Sequence, residues 1–108
     1  MSQPEKFKRK YPNRASDHPS VSRCIRAWNR AFHKTLNQLG QNEGEDQARQ
    51  SGKEHYLRAM PPLVSLDNVR DFIACVTYAQ LVQIIRPSEA GRLLAAARMA
   101  LNVLRRWS

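Results

Sequence analysis

A chain of 108 residues, 42% of them apolar, has the size and composition of one globular domain with one core. Eighteen Lys and Arg against nine Asp and Glu give a net charge of +9. The excess is uneven: residues 1–39 carry 9 basic and 2 acidic groups, residues 40–71 carry 4 and 6, and residues 72–108 carry 5 and 1. That distribution argues against a cationic ligand and for a polyanion: nucleic acid, a ribonucleoprotein complex or an acidic protein surface.

The first 19 residues hold Pro4, Pro12 and Pro19 among Lys6, Lys8, Arg9, Lys10 and Arg14, with no helical or alternating apolar period. They read as a flexible basic arm in front of a single helical domain over 20–108. Phe7 and Tyr11 lie between those cations, a composition that stacks on bases while neutralising phosphates. The first ten residues lack the apolar stretch of a secretory signal, so a cytoplasmic location is expected.

From Ser20, read as an N-cap, the residues Val21, Ile25, Trp28, Phe32, Leu36 and Leu39 recur at three- and four-residue spacing until Gly40. This spacing predicts a first amphipathic helix with that stripe turned inward. Around the same helix, at 100° per residue, Arg23, Arg26, Arg30, Lys34 and Asn37 fall within one arc opposite the Trp28 and Phe32 stripe, and His33 lies at its edge. Guanidinium and ammonium groups so spaced can meet successive phosphates. A solvated face usually mixes signs, yet no acidic residue occurs between Ser20 and Asn42. These six residues, with Lys6, Lys8, Arg9 and Lys10 of the arm, are therefore the candidate binding residues for nucleic acid or another partner.

A polar segment over 41–46 leads into a second predicted helix from Asp46 to Ala59, with a thin apolar face (Ala48, Tyr56, Leu57, Met60) and Gly52 in its interior. Pro61-Pro62 ends it. Ser65 or Asp67 caps a third helix whose apolar residues, from Val69 through Phe72, Ile73 and Val76 to Leu81, Val82, Ile84 and Ile85, point in nearly every direction and place it centrally. Within it, the longest uncharged run, 72–85, is 14 residues and contains Gln80 and Gln83; a bilayer span needs about 20, so no membrane partner is expected. Arg86-Pro87 starts a fourth helix with Ala90, Leu93, Leu94, Ala97, Leu101, Leu104 and Trp107 on one stripe. The expectation is an all-α, compact four-helix bundle in which the third and fourth helices form an antiparallel hairpin, preferred over a helix-turn-helix led by Ser88, Glu89 and Arg92. Trp28 and Phe32 are expected to pack on Phe72, Ile73 and Val76 of the third helix and on Leu94, Ala97 and Leu101 of the fourth.

No catalytic constellation emerges. His18, His33 and His55 lack a carboxylate at an orienting spacing, Cys24 and Cys75 sit in apolar helical patterns as buried free thiols, and neither a metal-ligand spacing nor a glycine-rich phosphate loop is present. A non-enzymatic binding protein without cofactor follows. The alternative is a protein–protein module, such as an inhibitor or a small subunit of a host defence complex, that turns the same cations on an acidic groove.

Residues 60–101, and within them Met60-Pro61-Pro62-Leu63 and Asp71-Phe72-Ile73-Ala74-Cys75-Val76, resemble a recurrent block of small bacterial proteins of unassigned activity, some associated with mobile elements. The resemblance implies a bacterial or phage context and assigns no functional residue.

Overall fold

The computed structural model describes residues 18–107, which fold into the helices α1 (Pro19–Leu39), α2 (Gln41–Ala59), α3 (Leu66–Leu81) and α4 (Pro87–Trp107). Pro19 opens α1: its fixed φ suits the first turn, where a backbone N–H would have no helical acceptor, and Ser22 N–H donates to the His18 carbonyl at 3.0 Å. The helix therefore starts two residues earlier than a Ser20 cap implies. Ser20 is buried instead, and its Oγ donates to Asp71 Oδ2 of α3 at 3.4 Å.

No loop separates α1 from α2. Gly40 alone reverses the chain at φ 88°, ψ 155°, a backbone region essentially closed to other residues. Its N–H donates to the Leu36 carbonyl at 2.8 Å, and its own carbonyl accepts from Gly44 N–H at 2.9 Å. The polar segment 41–46 thus belongs to α2, which begins five residues before the sequence signals it.

The α1–α2 hairpin is the most intimate packing in the fold, and small residues make it so. Gly44, Ala48, Gly52 and Tyr56 form a buried row at four-residue spacing on α2, facing Cys24, Ala27 and Ala31 of α1. A Cβ on Gly44 would stand 2.7 Å from the Leu39 Cβ, and one on Gly52 would stand 2.7 Å from the Trp28 indole nitrogen. The inward face of α1 is therefore rotated from the expected one. Its seam is Val21, Cys24, Ala27 and Ala31, while Ile25, Trp28, Phe32 and Leu36 are only half-buried along its flank. Trp28 stacks on Phe32, with ring centroids 4.7 Å apart and planes 10° from parallel. The two rings are thus not inserted between α3 and α4 as their size led one to expect, and Ile73 is exposed.

Ser65 caps α3 by accepting from Asn68 N–H at 3.1 Å. The helix stops at Leu81, before Ile84 and Ile85. Gln83 takes φ 65°, its N–H donates to the Gln80 carbonyl at 3.1 Å, and Ile84 N–H donates to the Ala79 carbonyl at 2.8 Å. That pair of bonds around a left-handed residue is a Schellman motif, built here without the usual glycine. Glu89 then secures α4: its carboxylate accepts from the Arg86 backbone N–H at 2.8 Å, the N3-to-cap half of a capping box, and also receives Lys53 from α2. These two donors hold the Glu89 carboxyl below its ordinary range.

The core joins Val21 and Cys24 of α1, Tyr56 of α2, Val69, Phe72, Cys75, Val76 and Ala79 of α3, and Ala90 and Ala97 of α4. Tyr56 is fully buried, and its hydroxyl donates to the Cys75 carbonyl at 2.7 Å. Burial pushes its phenol above the ordinary range. The principal extents, 50 × 31 × 22 Å, describe an elongated body. Among the described residues, no helix is long and apolar enough to cross a membrane.

Candidate functional site

Arg23, Arg26, Arg30, His33, Lys34 and Asn37 are all exposed on α1. The helix holds them there because the adjoining face is committed to α2 and α3 through the Cys24, Ala27 and Ala31 seam. The only acidic groups that could neutralise them come from elsewhere in the chain. Among the described residues, the ion pairs are His18–Asp71 at 3.5 Å, Arg49–Glu45 at 3.1 Å and Lys53–Glu89, so the four cations of α1 have none. His33 stands edge-on to the Phe32 ring at 5.3 Å and 82°. Lys6, Lys8, Arg9 and Lys10, the other candidates from the sequence, lie outside the described residues.

The rotation of α1 changes what the basic face adjoins. Arg30 and Lys34 border the α2 seam and line a groove of about 410 Å³ floored by Ala27 and Ala31. Its opposite wall is His55 of α2, whose Nδ1 lies 2.9 Å from the Ser51 carbonyl. His55 did not stand out in the sequence because its own helix supplies no basic stripe. The signal that finds it is the hairpin register: with Trp28 on Gly52 and Leu39 on Gly44, His55 falls beside Ala27 and Ala31.

Other concavities hold cations already in use. One of about 310 Å³ beside Trp28 and Tyr78 includes Arg49, whose guanidinium is bonded to Glu45. A second, of about 520 Å³, contains the same Arg49, Lys53 paired with Glu89, and Arg86, whose backbone N–H bonds Glu89. In the α1–α2 groove neither Arg30 nor Lys34 has an ion pair among the described residues.

Cys24 and Cys75 are free and completely buried, Sγ to Sγ 3.7 Å, and hydrogen bonding between them together with burial holds the Cys75 thiol well above its ordinary range. Cys75 is thereby a poor nucleophile, while the same hydrogen bond lowers the Cys24 thiol, which is equally enclosed. Among the described residues, no group of three His, Cys, Asp or Glu side chains is arranged to hold a metal ion. No protein-family model, curated protein or solved structure matches the chain.

Proposed function

We propose that the protein binds nucleic acid, free or within a ribonucleoprotein complex, through the exposed face of α1. The observation that carries this reading is the single sign of that face: Arg23, Arg26, Arg30 and Lys34 on one rigid helix, with no ion-pair partner among the described residues. A surface built for solubility intersperses both signs, because isolated cations gain from nearby carboxylates. A row of uncompensated cations instead gains most when it displaces the counterions condensed on a phosphate backbone. Contacts of that kind grip without reading sequence, so affinity is expected to be tolerant of base composition. A bacterial or phage cytoplasm is the setting that fits this reading.

The test is fluorescence anisotropy on single- and double-stranded oligonucleotides across a salt series. Neutralising about four phosphates gives a slope near −3.6 in log affinity against log salt for duplex and near −2.8 for single strands. Absence of binding at about 50 mM salt contradicts the proposal.

A protein partner is the second reading, and one observation favours it. Met99 and Val103 of α4 are 68% and 54% exposed, on a helix that turns Leu93, Leu94, Ala97, Leu101 and Leu104 toward the core. Recovery of a stoichiometric protein partner after nuclease treatment, with no oligonucleotide affinity in the isolated chain, would replace the first reading with the second.

A further inference from the structure

We propose that the α1–α2 groove is a proton-linked phosphodiester site, in which Arg30 and Lys34 supply fixed positive charge and His55 supplies a third donor only when its ring is protonated. The inference rests on the nucleic-acid reading and adds to it the ligand group and the control of its affinity.

The backbone of α2 fixes the tautomer of His55. Its Nδ1 is 2.9 Å from the Ser51 carbonyl oxygen, which can only accept, so Nδ1 carries the hydrogen. In the neutral ring Nε2 then has a lone pair and no hydrogen, and it repels a phosphate oxygen. Protonation converts Nε2 to a charged donor without disturbing the bond to Ser51. The ring is exposed on the wall of the groove, so no burial has to be undone for this to happen.

The charges around the ring make the linkage one-directional. Across the groove stand Arg30 and Lys34 of α1. On α2 itself the charged neighbours are Arg58 and Glu54, whose carboxylate accepts from Gln50 Nε2 at 3.4 Å, while α3 and α4 contribute nothing to the groove lining. Both groups facing the ring across the groove are thus cationic. A phosphodiester seated between them brings the negative charge that favours imidazolium. Binding is therefore coupled to proton uptake, and affinity rises as pH falls. The groove is floored by the short side chains of Ala27 and Ala31, and the same groove is lined by all three candidate donors.

The experiment measures anisotropy of a fluorescein-labelled 20-nucleotide strand without terminal phosphates, whose phosphodiesters keep a fixed charge from pH 5.5 to 8.0. Expected is about tenfold tighter binding at pH 5.5 than at pH 8.0 at constant salt, the effect of one added proton-dependent donor. His55→Gln should keep the pH 8.0 affinity and lose that response, whereas His33→Gln should retain it. By NMR, the His55 ring should titrate at higher pH with the strand present. Binding that is equally tight at both pH values, or a pH response that survives in His55→Gln, overturns this inference and leaves the nucleic-acid reading intact. No binding at any pH overturns both.

Discussion

Trp28 and Gly52 act as a single packing unit, and neither residue alone discloses it. A glycine inside a helix normally weakens it by about 0.5–1 kcal/mol relative to alanine, yet at position 52 a methyl group would meet the indole ring at 2.7 Å. Gly52→Ala should therefore destabilise the protein by about 1–3 kcal/mol, because either the ring or the helix must shift. Gly91 of α4 is the internal control: nothing lies within 4 Å of a Cβ built there, so Gly91→Ala should stabilise by about 0.5–1 kcal/mol. Urea melts of the two variants beside the parent check both signs. A Gly52→Ala variant as stable as the parent, or more stable, would show that the indole does not rest on Gly52. Gly52 looks like a defect in an isolated helix, and its use appears only when the partner helix and register are known.

For the helices, what the sequence discloses depends on how local the determining chemistry is. Ser65, Pro87 and the Arg86-Pro87 break announce the starts of α3 and α4, since caps and prolines act within a few residues. The end of α3 at Leu81 was hidden, because a Schellman turn usually shows itself through glycine and here uses Gln83. The early start of α2 was hidden for a related reason: a polar run reads as a loop, although one glycine had already turned the chain. On α1 the arc of cations was legible from periodicity alone, whereas the seam was not. Large apolar residues attracted the inward assignment, but close helix approach selects Cys24, Ala27 and Ala31 and leaves Trp28 and Phe32 at the flank.

The α1 face and the N-terminal segment compete as sources of affinity, and the helix should dominate. Cations on a helix are already ordered, so they lose little freedom on contact. Replacing Arg26 and Arg30 together by Glu should weaken oligonucleotide binding at least about 30-fold, roughly 2 kcal/mol, while deletion of residues 1–14 should cost less. Both side chains of the double variant are exposed, so circular-dichroism melts should match the parent. A deletion that weakens binding more than the double reversal, with both proteins folded, would transfer the site away from α1.

At the scale of the whole molecule, Tyr56 joins the two hairpins: it belongs to α2, lies at the centre of the core, and bonds the α3 backbone. Its phenol is held protonated by burial, and its folded value lies above its unfolded one. The resulting stability is fully present at neutral pH and is lost as pH rises past the unfolded phenol value of about 10, at a slope approaching 1.4 kcal/mol per pH unit. Tyr56→Phe should cost about 1 kcal/mol at pH 7 and show a shallower alkaline decline, measured by urea melts between pH 8 and pH 11. Equal slopes in parent and variant would mean that the phenol ionises freely in the folded protein. An all-helical class was readable from periodicity, but this junction was not, because a single tyrosine on a thin apolar face carries no sign of its position at the centre of the core.

The one-residue link at Gly40 has a kinetic meaning. Because α1 and α2 meet with no intervening loop, the first contacts between them close over only a few residues, so little chain entropy is lost before packing begins. The hairpin can zip outward from Leu39 and Gly44 toward Trp28 and Gly52, each turn adding neighbours already close in sequence. Contact between α1 and α3, such as Cys24 with Cys75, spans 51 residues and must wait for a larger loop to close. The basic surface of α1 would thus acquire its rigid support early in folding, before the core that later buries Tyr56 is complete.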